Sequence, residues 1–189
     1  MTVRRVVRLG RPSLRRISDP VDQADLKAGK YDQLIDDLTD TMRDYHGVGI
    51  AAPQVDVPVQ LFVIEVNTDN ERYPDLEGFP LTVFANPDVT LTGDREQFSP
   101  EGCLSIPSFR GVARRHSAVE ISALDRHGEP FGEKLDGLPA IIVQHEFDHL
   151  GGHLYIDRLW SPASLGYETE TDRFGTLYRE ALDAVRLAD

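Results

Sequence analysis

Sulfur, tryptophan and positive charge are all scarce in this chain. Its one cysteine, Cys103, excludes an intrachain disulfide and leaves a lone thiol open to metal or nucleophilic chemistry. Basic residues number 20 against 32 acidic ones, and the net charge of -12 argues against broad nucleic-acid binding, because phosphate contacts need clustered Lys and Arg. No apolar run approaches the roughly 18 residues that a bilayer crossing needs, so no membrane association is expected. The stretch from Met1 to Gly10 has arginines but no signal-like apolar segment, and a cytoplasmic location is expected. The local exception to the acidic balance is Arg4, Arg5, Arg8, Arg11, Arg15 and Arg16, read as a solvated face rather than a docking patch and assigned no function.

What is present suffices for a core. A chain of 189 residues, 40% of them hydrophobic, fits one domain, and residues 1–189 are read as a single unit. From Tyr31 the apolar residues Leu34, Ile35, Leu38, Met42 and Tyr45 recur at three- and four-residue steps, which predicts an amphipathic helix ending at Gly47. Leu61–Val66, Leu81–Ala85 and Ala118–Ala123 are short, β-branched or aromatic segments bounded by turn residues and predict strands. Asp125–Pro130 predicts a hairpin turn, and Asn67–Pro80 a polar surface loop. Phe174, Leu177, Tyr178, Ala181, Leu182 and Val185 predict a C-terminal helix over about 172–187, with Asp172 as its N-cap.

The segment Gln144–His149 carries the chemistry. On a helix His145 and His149 point the same way one turn apart, so two imidazole nitrogens can reach one ion while Glu146 meets a water beside it. Leu138, Ile141 and Ile142 share that stripe and place an apolar pocket next to the ion, whereas Val143, Phe147 and Leu150 on the other side predict a helix buried nearly all round. Pro139 suits its first turn, and Gly151 and Gly152 stop it.

A catalytic zinc-type site needs a third protein ligand and an open water position. A third histidine six residues past His149 is ruled out, because Tyr155 occupies that position. Glu168 or Glu170 could serve, as in a zinc endopeptidase, although their polar stretch looks like loop. Cys103, within Glu101–Ser105, is the remaining source, and its bland alternative is a small buried thiol. Gly47, Gly49 and Ala52 also satisfy a loose dinucleotide fingerprint. They follow a helix rather than a strand, so a glycine-lined cradle for an extended peptide is the better reading.

Three motifs in order, Gly47–Gln54, Glu101–Ser105 and His145–Gly152, resemble those of the peptide deformylases, and the likeness runs from about Gly10 to about Asp157. The resemblance implies an α+β fold, with antiparallel or mixed β-sheets packed around a central buried helix that carries the histidines, an N-terminal helix and a C-terminal helix. It implies that Cys103, His145 and His149 hold one divalent ion, ferrous iron in the family, with zinc, nickel or cobalt as replacements. Glu146 would then accept the proton of an attacking water and return one to the departing amine, while the Gln54 side-chain amide and the Leu104 backbone N–H stabilise the oxyanion. Apart from the resemblance, a glutamine in the position of Gln54 reads as an ordinary loop residue.

The implied substrate is a nascent peptide beginning with N-formylmethionine. It would be held as an added strand by Val48, Gly49 and Gly102, its first side chain entering a pocket walled by Val48, Leu138, Ile141 and Ile142. Arg110 is read as either a flank of the peptide entrance or a surface ion-pair partner. Glu101 is expected to orient a ligand histidine, and Arg115 to pair with Asp148. Some bacterial members dock a basic tail helix on the ribosome. Here Glu168, Glu170, Asp172, Glu180, Asp183 and Asp189 outweigh Arg173, Arg179 and Arg186, so ribosome association through this segment is not supported.

Overall fold

The computed structural model describes residues 2–67 and 78–175. Two helices come first, α1 (Gln23–Lys27) and α2 (Asp32–Asp44), followed by strands β1 (Gly49–Ala51), β2 (Leu61–Val66), β3 (Phe79–Cys103), β4 (Ile106–Leu124) and β5 (Pro130–Asp136), then helix α3 (Gly137–Leu150), the short strand β6 (Gly166–Tyr167) and helix α4 (Glu168–Phe174). The strands are hydrogen-bonded in the order β1-β2-β3-β4-β5, with β6 added to β4, and all pairs are antiparallel. The result is a mixed α+β fold with an antiparallel sheet and four helices.

The alternation of β2 explains why the sheet holds two helices apart. Leu61 and Val63 face the apolar stripe of α2, packing with Leu34, Ile35, Leu38 and Met42. Phe62 and Ile64 face the other way, toward Ala140, Ile142, Val143 and Leu150 of α3. Burial on both faces is why Leu61–Val66 reads as an almost unbroken apolar run. Phe62 stacks on Phe84 of β3 at 4.8 Å between ring centroids, tying the strands on the α3 side. The apolar residues of α3 are thus buried over most of its circumference.

Several boundaries differ from expectation. The predicted strands Leu81–Ala85 and Ala118–Ala123 are pieces of a much longer hairpin, β3 with β4. Pro87 and Gly93 break the sequence pattern, but register shifts at Ala85/Asp88 and Thr92/Glu96 accommodate them, as bulges do, and Pro100 stays in register opposite Val112. Helix α4 starts at Glu168 with Tyr167 as N-cap, so Asp172 is an interior residue. Glu168 and Glu170, read as loop, instead occupy its first turn, where carboxylates offset the helix dipole. Most of the expected C-terminal helix, Leu177 to Val185, lies outside the described residues, as does most of the expected loop Asn67–Pro80.

The α2 and hairpin expectations agree with the structure to within a few residues. Tyr45 caps α2 and the Gly47 N–H bonds to the Met42 carbonyl at 2.9 Å, while the Asp125 N–H closes the β4–β5 turn on the Glu129 carbonyl at 2.9 Å. After α3, Gly152 has φ of +75°, and a Cβ there would lie 2.7 Å from the Arg15 carbonyl oxygen. A backbone atom cannot yield as a side chain can, so the glycine admits the N-terminal segment alongside the end of α3. Among the described residues no helix is long and apolar enough to cross a membrane.

Candidate metal centre

Cys103 sits at the end of β3, one residue before the tight turn Leu104–Ser105 that leads into β4. The register jumps here, from Glu101 opposite Gly111 to Cys103 opposite Ile106. The extra residues, Pro107 to Arg110, lie on β4, where Ser108 has φ of +65°. The Cys103 Sγ lies 3.4 Å from His149 Nε2, and the donor atoms of Cys103, His145 and His149 all fall within 4.8 Å of one another. One sulfur and two nitrogens at this spacing, buried together, can hold a transition-metal ion.

The surrounding groups fix the two histidines differently. Glu101 Oε2 lies 2.7 Å from His145 Nδ1, and an ionised carboxylate only accepts, so Nδ1 carries the proton and Nε2 is left to coordinate. Burial alone would raise the Glu101 pKa, but the adjacent Arg115 guanidinium and the His145 N–H bring it down to about 2. Arg115 bonds both Glu101 oxygens at 2.7 and 2.9 Å and reaches Asp148 at 2.6 Å. The expected Arg115–Asp148 pair is therefore one edge of a larger buried network, which Arg158 completes from the far side at 2.8 Å from Asp148. Burial holds His149 well below the ordinary histidine range, which favours the neutral imidazole that a metal requires.

Glu146 stands beside this cluster with its carboxyl pushed up to about 7 by burial. Its Oε2 is buried and has no hydrogen-bond partner among the described residues. A buried carboxylate oxygen without a partner is costly unless something approaches it from the pocket. Gly49 makes room for it: a Cβ at that position would lie 2.6 Å from Glu146 Oε1 and 3.0 Å from Cδ and Cγ. Gly49→Ala is accordingly expected to displace the carboxylate and lower kcat by up to about 10²-fold while the fold survives. An unchanged kcat would show that the carboxylate position is not critical.

Gln54 lies in the short 3-10 turn Ala52–Val55 that follows β1. Its Oε1 accepts the Ala51 N–H at 2.8 Å, which orients the amide so that Nε2 points to Cys103 Sγ at 3.5 Å and Ser105 Oγ at 3.3 Å. A residue that reads as ordinary loop in the sequence is thus 1% exposed and aimed at the metal-binding cluster. The Ser105 hydroxyl is an addition to the expected site, and nothing in the sequence marks it apart from its place in Glu101–Ser105.

Every site residue expected from the sequence except His149 borders a single cavity of about 310 Å³, and His149 is fully buried behind it. Val48, Leu138, Ile141 and Ile142 form its apolar side, and Gly102 and Leu104 its β3 side. Arg110 lines the cavity and pairs with Glu168 at 2.6 Å, as a partly buried rather than an exposed side chain. Glu168, on α4, is thereby engaged by Arg110 of β4, and the metal-ligand cluster found among the described residues draws its third donor from Cys103.

A Cys/His/His triad that could hold a metal ion, with an unpartnered carboxylate beside it, set between a glycine-edged strand and a buried helix, is the arrangement expected of a metal-dependent hydrolase. The polypeptide deformylase family model matches residues 3–164. The peptide deformylase of Leptospira biflexa is 39% identical over 178 residues, covering 94% of this chain and 99% of that protein, and peptide deformylase 2 of Pseudomonas putida is 41% identical over 165 residues, covering 87% and 92%. Among solved structures, a class I type b peptide deformylase from Acinetobacter baumannii bound to Met-Ala-Ser superposes with a TM-score of 0.80 at 36% identity, over 84% of this chain and 99% of that one. The chain belongs to the peptide deformylase family. That family is metal-dependent, and neither the comparisons nor the placement of Glu168 and Glu170 supports a zinc endopeptidase.

Proposed function

We propose that this protein removes the formyl group from the N-terminal formylmethionine of nascent polypeptides, releasing formate and a free amino terminus. The observation that carries the reading is the convergence of Cys103, His145, Glu146 and Gln54 at one cavity with an apolar wall, with His149 buried behind it within reach of the same donor cluster. Residues 1–189 are read as one metallohydrolase domain acting in the cytoplasm.

The donor set of one thiolate and two imidazoles fits ferrous iron, the ion that the resemblance implies, and also admits zinc, nickel or cobalt on chemical grounds. A divalent ion bound there supplies the Lewis acidity that makes water a nucleophile near neutral pH. Glu146 takes the proton from the attacking water and delivers one to the departing amine nitrogen. The Gln54 amide, held by the Ala51 N–H, donates toward the oxyanion that forms on the formyl carbon, and the Leu104 N–H of the adjacent turn is the second donor. Strand β1 is the outer strand of the sheet, and its free edge at Val48 and Gly49, opposite Gly102, takes the peptide as an added strand. Leu138, Ile141 and Ile142 of α3 enclose the first side chain, so the buried helix supplies ligands, base and pocket wall together.

The test is formate release from formyl-Met-Ala-Ser by protein loaded anaerobically with iron or nickel. One formate per peptide and intact Met-Ala-Ser are expected. No turnover by fully loaded protein, or cleavage at an internal peptide bond, would overturn the reading.

A further inference from the structure

Of the six clustered N-terminal arginines, Arg4, Arg11, Arg15 and Arg16 are ion-paired with Asp37, Asp56, Asp157 and Asp19 respectively. Arg8 is different. Its side chain is exposed, it borders the metal-site cavity, and its Nη1 donates to the Leu104 carbonyl. Among the described residues no carboxylate lies within ion-pair distance of it. In a chain of net charge -12, an unneutralised guanidinium at the mouth of the site is conspicuous.

A second guanidinium stands at the other end of the same short segment. Arg110 covers Gly102 so closely that a Cβ there would meet its guanidinium, and it is held by Glu168 through Nε at 2.9 Å and Nη2 at 2.6 Å. Glu168 offsets the Arg110 charge, and the Arg8 charge stays unbalanced. The two carboxylates that border the cavity are Glu101 and Glu146, both buried, with Glu101 held by Arg115 and His145. Nothing acidic at the cavity therefore competes with an incoming anion for Arg8. Arg8 and the apolar residues Leu138, Ile141 and Ile142 line the same cavity, so a peptide whose first side chain takes the apolar wall, as proposed above, leaves Arg8 to the residues that follow.

Building on the proposed deformylation, we propose that Arg8 is a specificity-determining residue that favours an acidic side chain at the second or third position of the formylated peptide and disfavours a basic one. The carboxylate could belong to a side chain or to the C-terminus of a short peptide, so the test uses C-terminally amidated peptides. Formyl-Met peptides differing only by Asp or Lys at the second and third positions are compared with formyl-Met-Ala-Ser-amide, in wild type and in Arg8→Gln, Arg8→Lys and Arg8→Glu.

The acid-over-base ratio of kcat/KM is expected to be about fivefold or more in wild type at low salt, as for a solvent-exposed charge contact, and to shrink as salt is raised. Arg8→Lys should keep the preference, Arg8→Gln should abolish it, and Arg8→Glu should invert it. Because the readout is a ratio, a general loss of rate from a shifted Leu104 cancels. Affinity of the deformylated product amides, measured by calorimetry, should change in the same order. Equal turnover of acidic and basic peptides by wild type, or a ratio unchanged in Arg8→Glu, would overturn the proposal and leave deformylation standing. A preference seen only with free C-termini would likewise overturn it. No turnover of any formylated peptide would overturn the underlying activity and this proposal with it.

Discussion

Glu146→Gln is expected to lower kcat by about 10²-fold or more, the usual loss for a missing acid-base group, with the metal content unchanged. The side chain is buried at 4% exposure, next to but not among the three donor atoms, so an isosteric amide leaves the metal cluster intact. What the amide cannot do is accept a proton from water. Burial raises the carboxyl to about 7, where it accepts and returns a proton with little cost in either direction. The drop should therefore appear in kcat far more than in KM, since the proposed peptide contacts are the strand edges and the apolar wall and do not include Glu146. Metal analysis of the same sample separates this outcome from simple loss of the ion. Full activity in a metal-replete Glu146→Gln variant would remove Glu146 from the mechanism.

Arg115→Met should cost about 3–5 kcal/mol of stability, the range for breaking a buried ion pair from one side. Arg115 is 3% exposed and bonds Glu101 and Asp148, themselves buried. Asp148 would keep Arg158, but Glu101 would keep only the His145 N–H. For a chain of this size the loss corresponds to a fall in melting temperature on the order of 10 °C. In the wild type, the depressed Glu101 pKa contributes stability that is fully present above the ordinary value of 4.5 and is lost as pH falls toward about 2. Without Arg115 the folded-state pKa rises, and the acid-dependent loss over that window should flatten. Metal affinity should also fall by about 10- to 100-fold, because Glu101, no longer oriented by Arg115, would hold the His145 ring less firmly. Chemical denaturation at pH 7 and pH 3 with metal titration checks all three outcomes, and a variant as stable as wild type would show that the network contributes little.

The helix of His145 and His149 is legible in the sequence because helical geometry converts a four-residue spacing into a shared face without help from the rest of the chain. The amphipathic α2 is legible for the same reason. Cys103 is harder. Its role depends on the turn of the β3–β4 hairpin falling immediately after it, beside a register shift whose extra residues lie on β4, and neither has a local sequence signal beyond Pro100 and Gly102. The resemblance to a family, rather than periodicity, singles out Cys103 and Gln54.

The long β3–β4 hairpin reads as two short strands because its polar, proline-bearing middle looks like loop until the partner strand is known. Arg158 and Ser105 are silent in the sequence for a related reason. Each acts through a single partner, Asp148 or Gln54, that only the folded chain brings within reach. Glu101 and Arg115 are placed correctly by chemical need alone, since a ligand histidine needs an acceptor on its other nitrogen and a buried acceptor needs a cation.

The central claim is that one thiolate and two imidazoles of this chain hold a single divalent ion. It is tested most directly by loading wild type and Cys103→Ala with cobalt and measuring both the metal bound per chain and the sulfur-to-cobalt charge-transfer absorption. The account predicts one ion per wild-type chain with that absorption present, and loss of both in Cys103→Ala. A Cys103→Ala protein that binds one cobalt with an unaltered spectrum would contradict it.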